Sequence, residues 1–121
     1  MFMMENCTSD EIENYIKVYN LKLDWWSQDP EENHCYKISK NNEVVAMIEF
    51  STEVPGYICI NNFEVFKKGY GYGKDIIKSL TSSKEEKYCL YSKNKDSDGF
   101  WKSVGFILGD DGFGTPMFYS E

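Results

Sequence analysis

The stretch Val65-Phe66-Lys67-Lys68-Gly69-Tyr70-Gly71-Tyr72-Gly73-Lys74 runs directly into Asp75-Ile76-Ile77-Lys78-Ser79-Leu80-Thr81. An apolar run ends in glycines at three alternate positions, and Ile76, Ile77 and Leu80 then recur as one face of a helix. Strand, turn and helix are therefore contiguous. Alternate glycines let the backbone enter conformations closed to residues with side chains, so successive N–H groups can converge ahead of the helix. Such a point attracts anions, a phosphate or diphosphate above all, with Lys67, Lys68 and Lys74 available to add charge. On spacing alone, a Gly-rich connection required only for steric reasons is the alternative. The run has neither the G-K-[ST] of a Walker loop nor a G-x-G-x-x-G dinucleotide fingerprint.

Working outward toward the N-terminus, Tyr57 to Phe66 reads as a strand, and Val54-Pro55-Gly56 before it as a turn. Cys35 to Lys40 and the β-branched, aromatic segment Glu43 to Glu53 flank Asn41-Asn42, a pair suited to the positive φ of a tight hairpin turn. Thr8-Ser9-Asp10-Glu11 supplies N-cap hydroxyls and early acids for a helix whose apolar residues are Ile12, Tyr15, Ile16 and Tyr19. Leu21 to Asn33, with Trp25-Trp26 and the breaker run Gln28-Asp-Pro-Glu-Glu32, reads as a short helix or a loop over the core. Toward the C-terminus follow a short strand (Tyr88 to Ser92), a two-turn helix (Ser97 to Val104), a strand (Phe106 to Leu108) and a closing strand (Met117 to Tyr119). The order is α+β in one domain over residues 1–121, with a crossover helix between the third and fourth strands.

Composition narrows the function. The chain has 121 residues, 41% hydrophobic and 17% aromatic, enough for one packed core. Thirteen lysines, no arginine and twenty acids give a net charge of -7, which opposes broad contact with nucleic acid or anionic lipid and favours cationic partners. Any anion must be held by lysine or backbone, without the guanidinium fork. Cys7, Cys35, Cys59 and Cys89 form no C-x-x-C pair and the single histidine is His34, so no metal site is expected. Buried-type thiols, a start without basic and apolar leader regions, and the lack of a membrane-length apolar run point to a soluble cytoplasmic protein.

Two motifs carry a family resemblance. Phe63 to Lys74 resembles the acetyl-CoA signature of the GNAT superfamily of N-acetyltransferases, a strand ending in Val followed by [RQ]-x-x-G-x-[GA] and a helix. Lys68, Gly71 and Gly73 take the defining positions, with Lys for the usual Arg or Gln. Asn94-Lys-Asp-Ser97-Asp-Gly-Phe100-Trp101-Lys-Ser-Val-Gly105-Phe106 is similar to the second signature, N-x-x-A-x-x-[FL]-Y-x-x-x-G-F, with Ser97 for Ala and Trp101 for Tyr. The resemblance implies a GNAT-like mixed sheet, abbreviated at its N-terminus because no first strand precedes the Thr8 helix. It implies acetyl-CoA as co-substrate. The amides of Gly69, Tyr70, Gly71, Tyr72, Gly73 and Lys74 would hold its diphosphate. Main-chain groups around Val65 and Lys67 would pair with pantetheine as an added strand, Asn94 would touch the pantetheine arm, and Trp101 would stand at the family's acid position.

Catalytic groups are where this sequence departs from the family. The customary base lies four residues before the strand-ending Val, at Asn61, which cannot accept a proton but can orient a water. Glu64 and Glu49 are the alternatives. In a regular strand Glu64 faces away from Asn61 and Val65, so its use requires a bulge. The Trp101 indole is no proton source, leaving Tyr91 or Tyr119 as possible acids. Trp25-Trp26 reads as packing, His34 as a solvated side chain, and Asp29, Glu31, Glu32, Asp110 and Asp111 as a solvated acidic face. The resulting expectation is transfer of acetyl to a primary amine of a small cationic molecule or protein, by a monomer or homodimer without nucleic-acid or membrane partners. The alternative is a GNAT-fold module that binds CoA or a protein without turnover.

Overall fold

In the computed structural model residues 2–21, 33–82, 85–92 and 95–120 are described. Ten elements follow one another: β1 (Phe2–Asn6), α1 (Ser9–Val18), β2 (Asn33–Lys40), β3 (Glu43–Ser51), β4 (Ile58–Val65), α2 (Tyr72–Thr81), β5 (Tyr88–Tyr91), α3 (Lys95–Ser103), β6 (Ile107–Asp110) and β7 (Pro116–Tyr119). The strands form one sheet in the order β1-β2-β3-β4-β5-β7-β6. Only β4 and β5 run parallel, as the α2 crossover between them requires. The α+β arrangement expected from sequence, with a helix crossing over between parallel strands, is present. Among the described residues no helix is long and apolar enough to cross a membrane.

The absent first strand is a correction. Phe2–Asn6 pairs antiparallel with β2, from Phe2 opposite Lys40 to Asn6 opposite Tyr36. Local sequence hides it because Met3 and Met4 are both exposed, so no apolar–polar alternation marks a buried face. Cross-strand hydrogen bonds make this edge strand. Elsewhere local chemistry agrees with structure. Asn41 and Asn42 take φ of 53° and 65° in the β2–β3 hairpin, and the Tyr57 amide donates to the Val54 carbonyl across the next turn (3.1 Å). Thr8 caps α1 through a reciprocal box: the Glu11 amide donates to Thr8 Oγ1 (3.2 Å) and the Thr8 amide to Glu11 Oε1 (3.1 Å).

Helices cover both faces of the sheet. Ile12 on α1 packs with Leu21, Cys35 and Met47 on one face. Ile76 and Ile77 of α2, with Trp101 of α3 and Val104 after it, pack with Ala46, Ile48, Phe50 and Ile60 on the other. Alternation along β3 divides the two sets: Ala46, Ile48 and Phe50 face α2 and α3, while Met47, Glu49 and Ser51 face α1. The Trp25-Trp26 pair and the acids Asp29, Glu31 and Glu32 lie outside the described residues. His34 is exposed on β2, matching its expected solvated state.

Thr8→Ala should lower stability by about 1 kcal/mol, read as a fall in the urea midpoint at unchanged slope. An unchanged midpoint would mean the box contributes nothing to holding α1.

Candidate functional site

One irregularity in the β3–β4 ladder shapes the site. Glu49 lies opposite Asn62, but the next residue, Phe50, lies opposite Ile60, so Asn61 is the extra residue of a β-bulge. On β4 the spacing between residues facing α2 and α3 is consequently three, Ile60 then Phe63, where a regular strand gives two. The parallel ladder to β5 consists of Ile58–Tyr88 and Cys59–Cys89 and ends just before this bulge. Beyond it the two strands open around a cleft of about 320 Å³.

Ile60, Phe63, Val65, Leu90, Phe100 and Trp101 form the apolar walls of the cleft. Trp101 is itself buried, its ring 5.1 Å from both Phe100 and Phe106 and 6.2 Å from Phe63. It is wall rather than acid. Lys68 and Gly73 bring the Gly-rich turn to the cleft, and Asn61, Asn62 and Glu64 bring in polar groups from β4.

The turn has the backbone its glycines allow. Gly69 and Gly71 take φ of 88° and 72°, and Gly71 is the N-cap of α2 without any side-chain cap. The Asp75 amide makes the first backbone bond of the helix, to the Gly71 carbonyl (3.2 Å). The first-turn amides thus lie at the positive end of the helix dipole. Gly73 serves closeness instead: a Cβ there would stand 3.2 Å from the Phe100 ring and 3.5 Å from Val65 Cγ2. Tyr70 and Tyr72 stack at 5.4 Å, Tyr72 meets Phe2 edge-on at 6.0 Å, and the Lys40 ammonium lies 5.2 Å from both the Phe2 and Tyr72 ring centres. Lys67 pairs with Glu43 (2.7 Å) and lies over Tyr70. Lys67, Tyr70, Tyr72 and Lys74 belong to the turn but do not line the cleft, whereas Val65, Lys68, Gly73 and Trp101 do. Asn94 lies outside the described residues.

The bulge also decides where the catalytic candidates point. Ser51 Oγ donates to Asn61 Oδ1 (3.3 Å), and Asn62 Nδ2 makes a long hydrogen bond to Glu49 Oε2 (3.5 Å). Glu49 is fully buried at 0% exposure. Glu64 lies opposite Met47, on the α1 face with Glu49 and Asn62, and lines the cleft. Asn61 and Glu64, on opposite faces in a regular strand, therefore share a face. Of the two tyrosines, Tyr91 lines the cleft and loss of solvent pushes its hydroxyl above the ordinary value, with Asp111 adding to the shift. The Tyr119 hydroxyl is used structurally, donating to the Asp110 carbonyl. Sequence reading gave Asn62 no role. Its signal was two consecutive asparagines, poor strand formers, in the middle of an apolar strand.

No protein-family model matches this sequence, and no curated protein does. Solved structures match the fold over nearly the whole chain. The PaiA N-acetyltransferase of Thermoplasma acidophilum, solved in complex with coenzyme A, superposes with a TM-score of 0.66 at 11% identity, covering 100% of this chain and 99% of that one. The acetyltransferase of the GNAT family from Bacillus cereus gives 0.64 at 16% identity over 100% and 97%. The ribosomal-protein-S18-alanine N-acetyltransferase of Escherichia coli gives 0.65 at 13% identity over 98% and 91%. This chain has the fold of the GNAT acetyltransferases.

Gly73→Val should destabilise the protein by about 1–3 kcal/mol through overpacking against Phe100 and Val65, visible as a lowered thermal midpoint. A wild-type midpoint would show that α2 and α3 have room to separate.

Proposed function

We propose that this chain is an acyl-CoA-dependent N-acetyltransferase acting on a primary amine of a small cationic molecule or protein. The observation that carries the reading is the cleft itself, opened where the β4–β5 ladder stops at the Asn61 bulge and running to the amides that begin α2. An extended, apolar arm ending in a diphosphate fits that combination of groove and dipole. Structures of this fold solved with coenzyme A or acetyl coenzyme A, among them that of the streptothricin acetyltransferase relative from Bacillus anthracis, support it.

In this reading the Gly69–Lys74 amides and Lys68 hold the diphosphate, and the β4 main chain near Val65 aligns the pantetheine arm. When bound, the coenzyme supplies an acyl thioester open to attack by an amine. Glu64 accepts the ammonium proton, directly or through a water oriented by Asn61. Asn62 holds Glu49 behind them on the same face. Tyr91 holds its proton through neutral pH, as its raised hydroxyl requires, and is the group suited to protonate the departing thiolate. The acidic balance of the chain supports a cationic acceptor over nucleic acid or anionic lipid. Four free thiols support a reducing, cytoplasmic setting.

Thiol release from acetyl-CoA should be measured with polyamines, aminoglycosides and lysine peptides. Turnover on at least one class is expected, and Glu64→Gln should lower kcat about 10²–10⁴-fold with little change in coenzyme affinity. Coenzyme binding without turnover on any amine would replace the enzyme by a binding module, the reading that Asn61 at the customary base position favours. Gly71→Asp introduces a carboxylate and a side chain at positive φ, so calorimetry should show coenzyme A binding lost in a folded protein. Unchanged affinity would exclude the turn as the anion site.

A further inference from the structure

The four thiols form two neighbouring pairs on the α1 face of the sheet, and the pairs differ chemically. Cys59 and Cys89 are register partners between β4 and β5, at 1% and 0% exposure, inside a cluster with Met117. Cys7 and Cys35 lie at the other side of the sheet. The β1–β2 register ends at Asn6 opposite Tyr36, and the Cys7 amide donates to the Cys35 carbonyl (3.0 Å), extending the pairing by one residue. Residues opposite each other at a hydrogen-bonded position of an antiparallel ladder have Cα atoms about 5.5 Å apart, inside the span a disulfide bridges. Both side chains pack in one apolar cluster with Met47, to whose Sδ the Cys7 thiol donates (3.8 Å). Cys7 is partly exposed, while Cys35 is buried.

We propose that Cys7 and Cys35 are an oxidation site, in which Cys7 attacks a hydroperoxide and Cys35 closes the product to a disulfide. The chemical asymmetry supports this order. Interaction with the neighbouring Cys35 thiol holds Cys7 below its ordinary value, outweighing the opposing effects of burial and Glu11, and Lys37 adds to the lowering. The same interaction, with burial and the neighbouring Glu49, pushes Cys35 up. Cys7 is thus the more acidic and more accessible of the two thiols and Cys35 the buried resolving partner, the arrangement that makes a thiol peroxide-sensitive. Cys7 sulfur attacks one peroxide oxygen, forming S–O and breaking O–O, with hydroxide leaving as water after protonation. Cys35 sulfur then attacks the sulfenic sulfur, forming S–S and releasing the second water. Two thiols are oxidised and one hydrogen peroxide is reduced to two waters. This site is independent of the proposed acetyl transfer.

The test uses the reduced, full-length protein exposed to hydrogen peroxide, quenched in acid, alkylated and mapped by mass spectrometry. The expected product links the Cys7 and Cys35 peptides while Cys59 and Cys89 remain alkylatable. In Cys35→Ser, dimedone should label Cys7. Before oxidation, iodoacetamide should modify Cys7 about tenfold or more faster than Cys59 or Cys89. A Cys59–Cys89 link formed first, or all four thiols recovered unlinked, would overturn the proposal. Because wild-type mapping decides it, a misfolded Cys35→Ser variant leaves the test intact.

Discussion

One extra residue in β4 governs the site. Without the Asn61 bulge, β4 would alternate regularly along its length and nothing in its geometry would break its pairing with β5. With it, the two strands stay joined at Ile58–Tyr88 and Cys59–Cys89 and then part, giving a walled cleft with main chain along one side. The same step of register brings Asn61 and Glu64 to one face. Groove and catalytic candidates thus have a single cause, a local defect that a sheet tolerates because its neighbours on either side remain paired.

The ends of the cleft differ in the groups they carry. At the α2 end are Lys68 and amides directed by two left-handed glycines, while the α1 face carries Glu49 and Glu64. On the proposed function the first would receive the coenzyme's diphosphate and the second the amine. The walls between them are largely aliphatic and aromatic, a surface that suits the apolar pantetheine arm of the proposed coenzyme. Trp101 contributes to this middle through packing against Phe100 and Phe106.

Much of this was legible in the sequence because it is local. Gly69, Gly71 and the face of Ile76 and Ile77 announce the turn and helix within a dozen residues, Asn41-Asn42 announces the hairpin, and Thr8 with Glu11 announces α1. What escaped depends on distant partners. Phe2–Asn6 becomes a strand through pairing with β2, across a helix and a long connection. The bulge was foreseen only as a condition for Glu64 to act, because which residue is extra is set by the register with β3. The meeting of Cys7 with Cys35 comes from the unforeseen first strand.

The contact of Phe2 with Tyr72, with Lys40 over both rings, ties the outermost strand to the first residue of α2. Phe2 and Tyr72 belong to opposite ends of a long contour, yet here they meet beside the glycines. A loop that must be both supple enough for left-handed backbone and fixed enough to aim its amides is in this way braced from outside. Folding itself carries the entropy of ordering it, so on the proposed function a coenzyme would meet donors already oriented and keep more of the contact energy as affinity.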